Sequence, residues 1–161
     1  TFIITIPFEI TDMDEKQKEE TATEKGSIKG LHLLLAEDNE LNAEIAEVLF
    51  EDEGASIVIA KNGQEVIDQF KNHQPGTFDA ILMDIMMPQV DGFSATRAIR
   101  SMERTDAKEI PIIAMTANAF DEDAKKCFEA GMNAHLSKPL QMDIVVATIA
   151  KYCRKGAVKK A

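Results

Sequence analysis

Apolar runs that each end in a chemically capable residue constrain this chain more than any other feature. The run at 31–36 closes on the acidic pair Glu37-Asp38 and the run at 78–83 on Asp84. Thr116 follows a third run, and Lys138-Pro139 follows a fourth. Between the runs lie helical patterns around 40–53, 63–72, 92–103, 121–130 and 141–152, with a further apolar stretch at 55–60. Short apolar runs alternating with helices are solved by a parallel sheet buried on both faces. The expectation is an α/β fold, a doubly wound parallel sheet of five strands.

In such a sheet the carboxyl ends of the strands open into one crevice, because crossover connections share one hand. Glu37, Asp38, Asp84, Thr116 and Lys138 then converge. Three carboxylates at close quarters repel one another unless a cation lies among them, and Mg²⁺, a hard ion that takes oxygen ligands and retains waters, suits that set. An ammonium and a metal beside a nucleophilic carboxylate suit phosphoryl transfer.

The phrases LLLAEDNELN, ILMDIMMPQVDGF, PIIAMTANAF and AGMNAHLSKPL resemble those of response-regulator receiver domains, of the kind found at the C-terminus of hybrid sensor histidine kinases. The resemblance runs from Leu31 to about Cys153. It implies a flavodoxin-like receiver fold with strand order 2-1-3-4-5. It also implies that Asp84 is the phosphoacceptor, that Glu37 and Asp38 bind the metal together with Asp84 and the Met86 carbonyl, and that Thr116 and Lys138 hold phosphoryl oxygens. Lys138-Pro139 is expected to be cis, and Thr116 with His135 to form a conformational switch. The implied function is that of a phospho-accepting domain in a two-component phosphorelay, which takes its phosphoryl group from phosphohistidine. The isolated domain phosphorylates itself and turns over no metabolite; the parent polypeptide is expected to be a histidine protein kinase.

Each residue has a plainer reading. Acids at a helix start suit the helix dipole, Thr116 is a natural strand residue, Lys138 sits in a loop, and His135 is a half-buried strand histidine. Asp84 is different, since a lone carboxylate ending a buried strand has no ready structural purpose. A phosphatase with an aspartyl nucleophile is the rival class, but it calls for a second Asp where this chain has Met86. A flavin-binding module calls for a hydroxyl-rich loop where this chain has Glu37-Asp38.

The net charge of −10 among 161 residues argues against nucleic acid, whose phosphates demand a basic face. No apolar stretch approaches the ~20 residues of a membrane helix. Cys127 and Cys153 fall in amphipathic helices with no secretory signal before them, which points to reduced thiols and a cytoplasmic setting. The parent kinase is left free to be membrane-anchored.

Residues 1–10, TFIITIPFEI, read as a strand left on a cut fragment and resemble the end of a histidine-kinase ATP-binding domain. Residues 11–30 read as a solvated linker, 31–153 as the receiver and 154–161 as a basic tail. Asn39 and Asp121 are expected to cap helices, and Gly54 and Gly131 to end them. On the first helix Ile45, Leu49 and Phe50 are expected to form the core stripe. Leu41 and Val48, lying off it, are expected with Leu140 to dock a partner, either a kinase dimerisation domain or a histidine-phosphotransfer protein; Asn42 and Ile45 are second-choice contacts, being candidates for the core face as well. Glu40, Glu44, Glu47 and Glu51 read as a solvated ridge, and His32 and His73 as structural.

Overall fold

Residues 26–117 and 121–157 are described by a computed structural model. The N-terminal strand, most of the linker, Asn118 and the end of the basic tail lie outside them. In chain order the elements are β1 (His32–Ala36), α1 (Glu40–Asp52), β2 (Ser56–Ala60), α2 (Gly63–Asn72), β3 (Ala80–Asp84), α3 (Gly92–Arg100), β4 (Ile112–Thr116), α4 (Asp121–Ala130), β5 (Ala134–Ser137) and α5 (Met142–Ala157). The strands form one parallel sheet in the order β2-β1-β3-β4-β5.

Strand side chains alternate between faces, and here each face receives its own helices. Leu34, Ala36, Ile81, Met83, Ile112 and Ala114 pack on one side with Val66 and Phe70 of α2, Ala95 and Ile99 of α3, and Cys127 of α4. Leu33, Leu35, Leu82, Ile113 and Met115 pack on the other with Ala46 and Phe50 of α1 and Val145, Val146 and Ile149 of α5. β3 and β4 are buried along their whole length, which is why their sequences read as unbroken apolar runs.

Local signals set most boundaries. Asn39, Asn62 and Asp91 cap α1, α2 and α3 by accepting from the backbone N–H of Asn42, Glu65 and Ser94. Gly54 and Gly131, at φ of +83° and +106°, take the left-handed conformation just past helix ends. The third helix stops at Arg100, short of residue 103. The chain then turns so that Arg104 can pair with Asp106 at 2.7 Å and lie over the Phe70 ring.

Two expectations about packing fail. On α1 the sheet-facing positions are Ala43, Ala46 and Phe50, while Ile45 and Leu49 are 50% and 36% exposed. Alanines on a sheet-facing helix let it approach closely, so the larger side chains are left on the flank. The stretch read as linker also reaches the core at its end. Ile28 is fully buried on the α1/α5 side, Gly26 lies against Ala150, and Gly30 N–H donates to the Gly54 carbonyl. One isolated isoleucine in a polar stretch carries no periodic signal.

Candidate functional site

β1 has β2 on one side and β3 on the other, so the chain order reverses there, and the crevice at such a switch point is the ligand position of open α/β sheets. The carboxylates of Glu37, just past β1, and Asp84, at the end of β3, sit at that point. Both are 5% exposed, whereas Asp38 is open to solvent. One oxygen from each of Glu37, Asp38 and Asp84 lies within 4.8 Å of the others.

Lys138 reaches this cluster from the loop after β5. Its Nζ donates to Glu37 Oε2 at 2.9 Å and to Asp84 Oδ2 at 2.8 Å. The other oxygens have backbone donors: Asn39 N–H to Glu37 Oε1 at 3.2 Å and Met86 N–H to Asp84 Oδ1 at 3.1 Å. The Lys138 backbone N–H bonds the Thr116 carbonyl at 2.8 Å, and the Lys138-Pro139 bond is cis. Thr116, 7% exposed, ends β4, the strand beside β3.

Burial raises the Asp84 pKa, with the Glu37 charge adding to it, against the hydrogen bond and charge of Lys138. For Lys138, burial alone favours the neutral amine. The hydrogen bonds and charges of Asp84 and Glu37 outweigh it and raise the pKa. The cluster therefore keeps its ammonium, and three carboxylates face it. A hard divalent cation among oxygen donors matches the surplus negative charge.

The sequence-predicted residues separate into two groups. Glu37, Asp38, Asp84 and Lys138 meet at one crevice, and Thr116 ends the adjacent strand β4 with its carbonyl bonded to the Lys138 N–H. His135 is half-buried on β5, paired with Ala114 and two residues before the Thr116 partner Ser137. It lines a second hollow of about 400 Å³ with Leu140, Ile144 and Val145. Met86 puts its side chain into solvent, 79% exposed. His32 stacks on Phe78 and bonds Ser56, and His73 bonds the Gln69 carbonyl, all away from the crevice.

A cleft of about 480 Å³ leads from the charged cluster between α1 and the start of α5. Asn42, Ile45, Leu49, Leu140 and Met142 line it, with Glu37 and Lys138 at its inner end. Leu41 and Val48, 65% and 58% exposed, stand outside that lining. Asn42 and Ile45, the second-choice docking contacts, are on the lining, and Leu49, expected in the core stripe, joins them there.

Residues 33–150 match the family model described as response regulator receiver domain. The chain belongs to that family.

This receiver is 40% identical over 144 residues to hybrid signal transduction histidine kinase B of Dictyostelium discoideum, a match covering 83% of the chain and 7% of that protein. It is 33% identical over 161 residues to histidine kinase 1 of Arabidopsis thaliana, covering 81% of the chain and 13% of that protein. The chain thus spans a small part of the curated relatives it matches. Among solved structures, it resembles the receiver domain of a sensor histidine kinase from Pseudomonas aeruginosa with a magnesium ion coordinated in the active site cleft. That match has 35% identity and a TM-score of 0.69, and covers 77% of this chain and 98% of the other. A Saccharomyces cerevisiae receiver domain, in co-crystal with a histidine phosphotransfer signalling protein, matches with 26% identity and a TM-score of 0.72, covering 84% and 94%.

Proposed function

We propose that this receiver accepts a phosphoryl group from phosphohistidine onto Asp84 and changes conformation in response. The observation that carries the proposal is Lys138 Nζ held between Asp84 and Glu37 in a crevice of three convergent carboxylates. Mg²⁺ is the cation proposed for Glu37, Asp38, Asp84 and the Met86 carbonyl, and when bound it supplies positive charge beside the transferring group. The Pseudomonas receiver, with magnesium in its cleft, supports that choice.

An Asp84 oxygen attacks phosphorus in line, the P–N bond to the donor imidazole breaks, and the leaving nitrogen takes up a proton. Lys138 and Thr116 stabilise the non-bridging oxygens. Electrostatic positioning carries most of such a reaction, since the protein itself does little bond chemistry. The Thr116 hydroxyl, drawn toward the phosphoryl group, leaves space on the sheet face it shares with His135, and the pair is proposed as the switch.

In-line transfer also requires the donor histidine to reach Asp84. The cleft beside α1 opens onto the charged cluster and offers Asn42, Ile45, Leu49 and Leu140 to a helical partner. We assign the partner to the helical histidine-bearing proteins: a kinase dimerisation domain or a histidine-phosphotransfer protein, as in the yeast co-crystal. The proposed parent is a hybrid histidine kinase with its receiver in the cytoplasm. No helix among the described residues is long and apolar enough to cross a membrane.

Incubation with a small acyl phosphate and Mg²⁺, followed by intact-mass measurement, tests the reading. A gain of one phosphoryl group that disappears in Asp84→Asn is expected. No gain from either that donor or a phosphorylated histidine protein would refute it.

A further inference from the structure

We infer that Gly92, a residue with no side chain to offer the reaction, is the positioning residue for Asp84. The loop leaving β3 doubles back so that Gly92, opening α3, lies against the strand end it came from. Gly92 N–H donates to the Ile85 carbonyl at 3.0 Å. A Cβ built on Gly92 would stand 2.9 Å from Ile85 Cα and would overlap the Asp84 carbonyl oxygen. The obstructing atoms are backbone, which cannot turn aside as a flexible side chain can.

Asp84 is thereby held from two sides. Its backbone pairs with Met115 on β4, and Ile85 N–H donates to the Met115 carbonyl at 3.2 Å. From the sheet face that α3 covers, Gly92 abuts its backbone, with the first turn of α3 fixed by the Asp91 cap and by Thr96 Oγ1 donating to the Gly92 carbonyl at 2.8 Å. Any side chain at 92 must part α3 from Asp84 by roughly an ångström, and a misplacement of that size costs an oriented reaction on the order of 10²-fold. The distances from the Asp84 carboxylate to Lys138 and to the other acids are thus set by close contact with α3, in addition to the sheet. Sequence patterns single out Asp84 and pass over the glycine eight positions later.

The inference rests on Asp84 being the phosphoacceptor, and the experiment separates the two. Gly92→Ala is compared with Phe70→Leu, a buried site in the last turn of α2 that packs in the core and is not among the crevice residues, in the full chain. Gly92→Ala is expected to keep a cooperative thermal transition, to bind Mg²⁺ about tenfold more weakly, and to lose about 100-fold in maximal rate with acyl phosphate. Its half-saturating donor concentration should change little. Phe70→Leu should lose stability and keep both the affinity and the rate. Wild-type Mg²⁺ affinity and rate in a folded Gly92→Ala protein would overturn the inference. Should that variant not fold, Asp91→Ala removes the α3 cap without filling the contact. A several-fold fall in both readouts is then expected, and unchanged values again overturn it. If the unaltered chain accepted no phosphoryl group, the proposed function would fall, while the Mg²⁺ comparison would still decide the part played by Gly92.

Discussion

Lys138 Nζ lies 2.8 Å from Asp84 Oδ2, and the same ammonium bonds Glu37. One cation thus bridges a strand end and a strand–helix loop that are far apart in sequence. The arrangement holds the crevice together before any metal or phosphoryl group arrives, and it places a donor where phosphoryl oxygens are expected.

In the metal-free protein, Asp84→Asn should raise the unfolding temperature near neutral pH while abolishing phosphorylation. The folded-state pKa of Asp84 is raised by burial, so the native state binds its proton more tightly than the unfolded chain. Its contribution to stability therefore falls as pH rises from the ordinary carboxylate range through the raised value. An uncharged amide avoids that cost. Thermal melts of both proteins across pH 4 to 8 check this, and the advantage of the variant should shrink toward the acidic end.

Magnesium should stabilise the wild-type chain and not Asp38→Ala. A ligand present at one hundred times its dissociation constant adds about 2.7 kcal/mol to the folded state. Calorimetric titration together with melts at rising Mg²⁺ gives both numbers. Unchanged affinity in Asp38→Ala would remove that residue from the proposed site.

Ile45→Asp and Leu49→Asp should each slow transfer from a phosphorylated helical histidine protein by about tenfold or more, since a charge is set into an apolar contact worth 1–2 kcal/mol. Phosphorylation by acyl phosphate, which needs no docking, should keep its rate. Leu41→Asp and Val48→Asp, outside the cleft lining, are expected to act more weakly. Equal slowing with both donors would place docking elsewhere.

Truncation tests how much the buried Ile28 contributes to the core. Removing residues 1–25 is expected to leave stability and phosphorylation intact, whereas removing 1–30 also deletes the fully buried Ile28. Ile28→Ala alone should cost about 2–5 kcal/mol, the range for large-to-small core changes. Denaturant unfolding of the three proteins measures it.

Arg100 donates to the Gly131 and Ala107 carbonyls and to Asn133 Oδ1, which also accepts from Ile112 N–H. Arg100→Ala strands several acceptors at once, each worth about 1–3 kcal/mol when left unmade in the interior. A loss of roughly 3 kcal/mol and faster amide exchange along β5 are the expected results.

Much of this protein was legible in its residues because the relevant signals are local. Apolar runs of strand length, Asn and Asp caps and glycines past helix ends fixed the elements. The polar residue closing each run then named Glu37, Asp38, Asp84, Thr116 and Lys138, because a parallel sheet brings such ends together whatever the details of packing. Tertiary structure decided what depends on close approach between elements. Small alanines turned out to face α1 toward the sheet, leaving Ile45 and Leu49 on the cleft; Ile28 found a place in the core; and Gly92 met the backbone of Asp84 where no Cβ fits. Periodicity ranks residues by how well they tolerate water, while packing selects them by the space available. That difference is why the charged site could be read from the sequence and its supporting contacts could not.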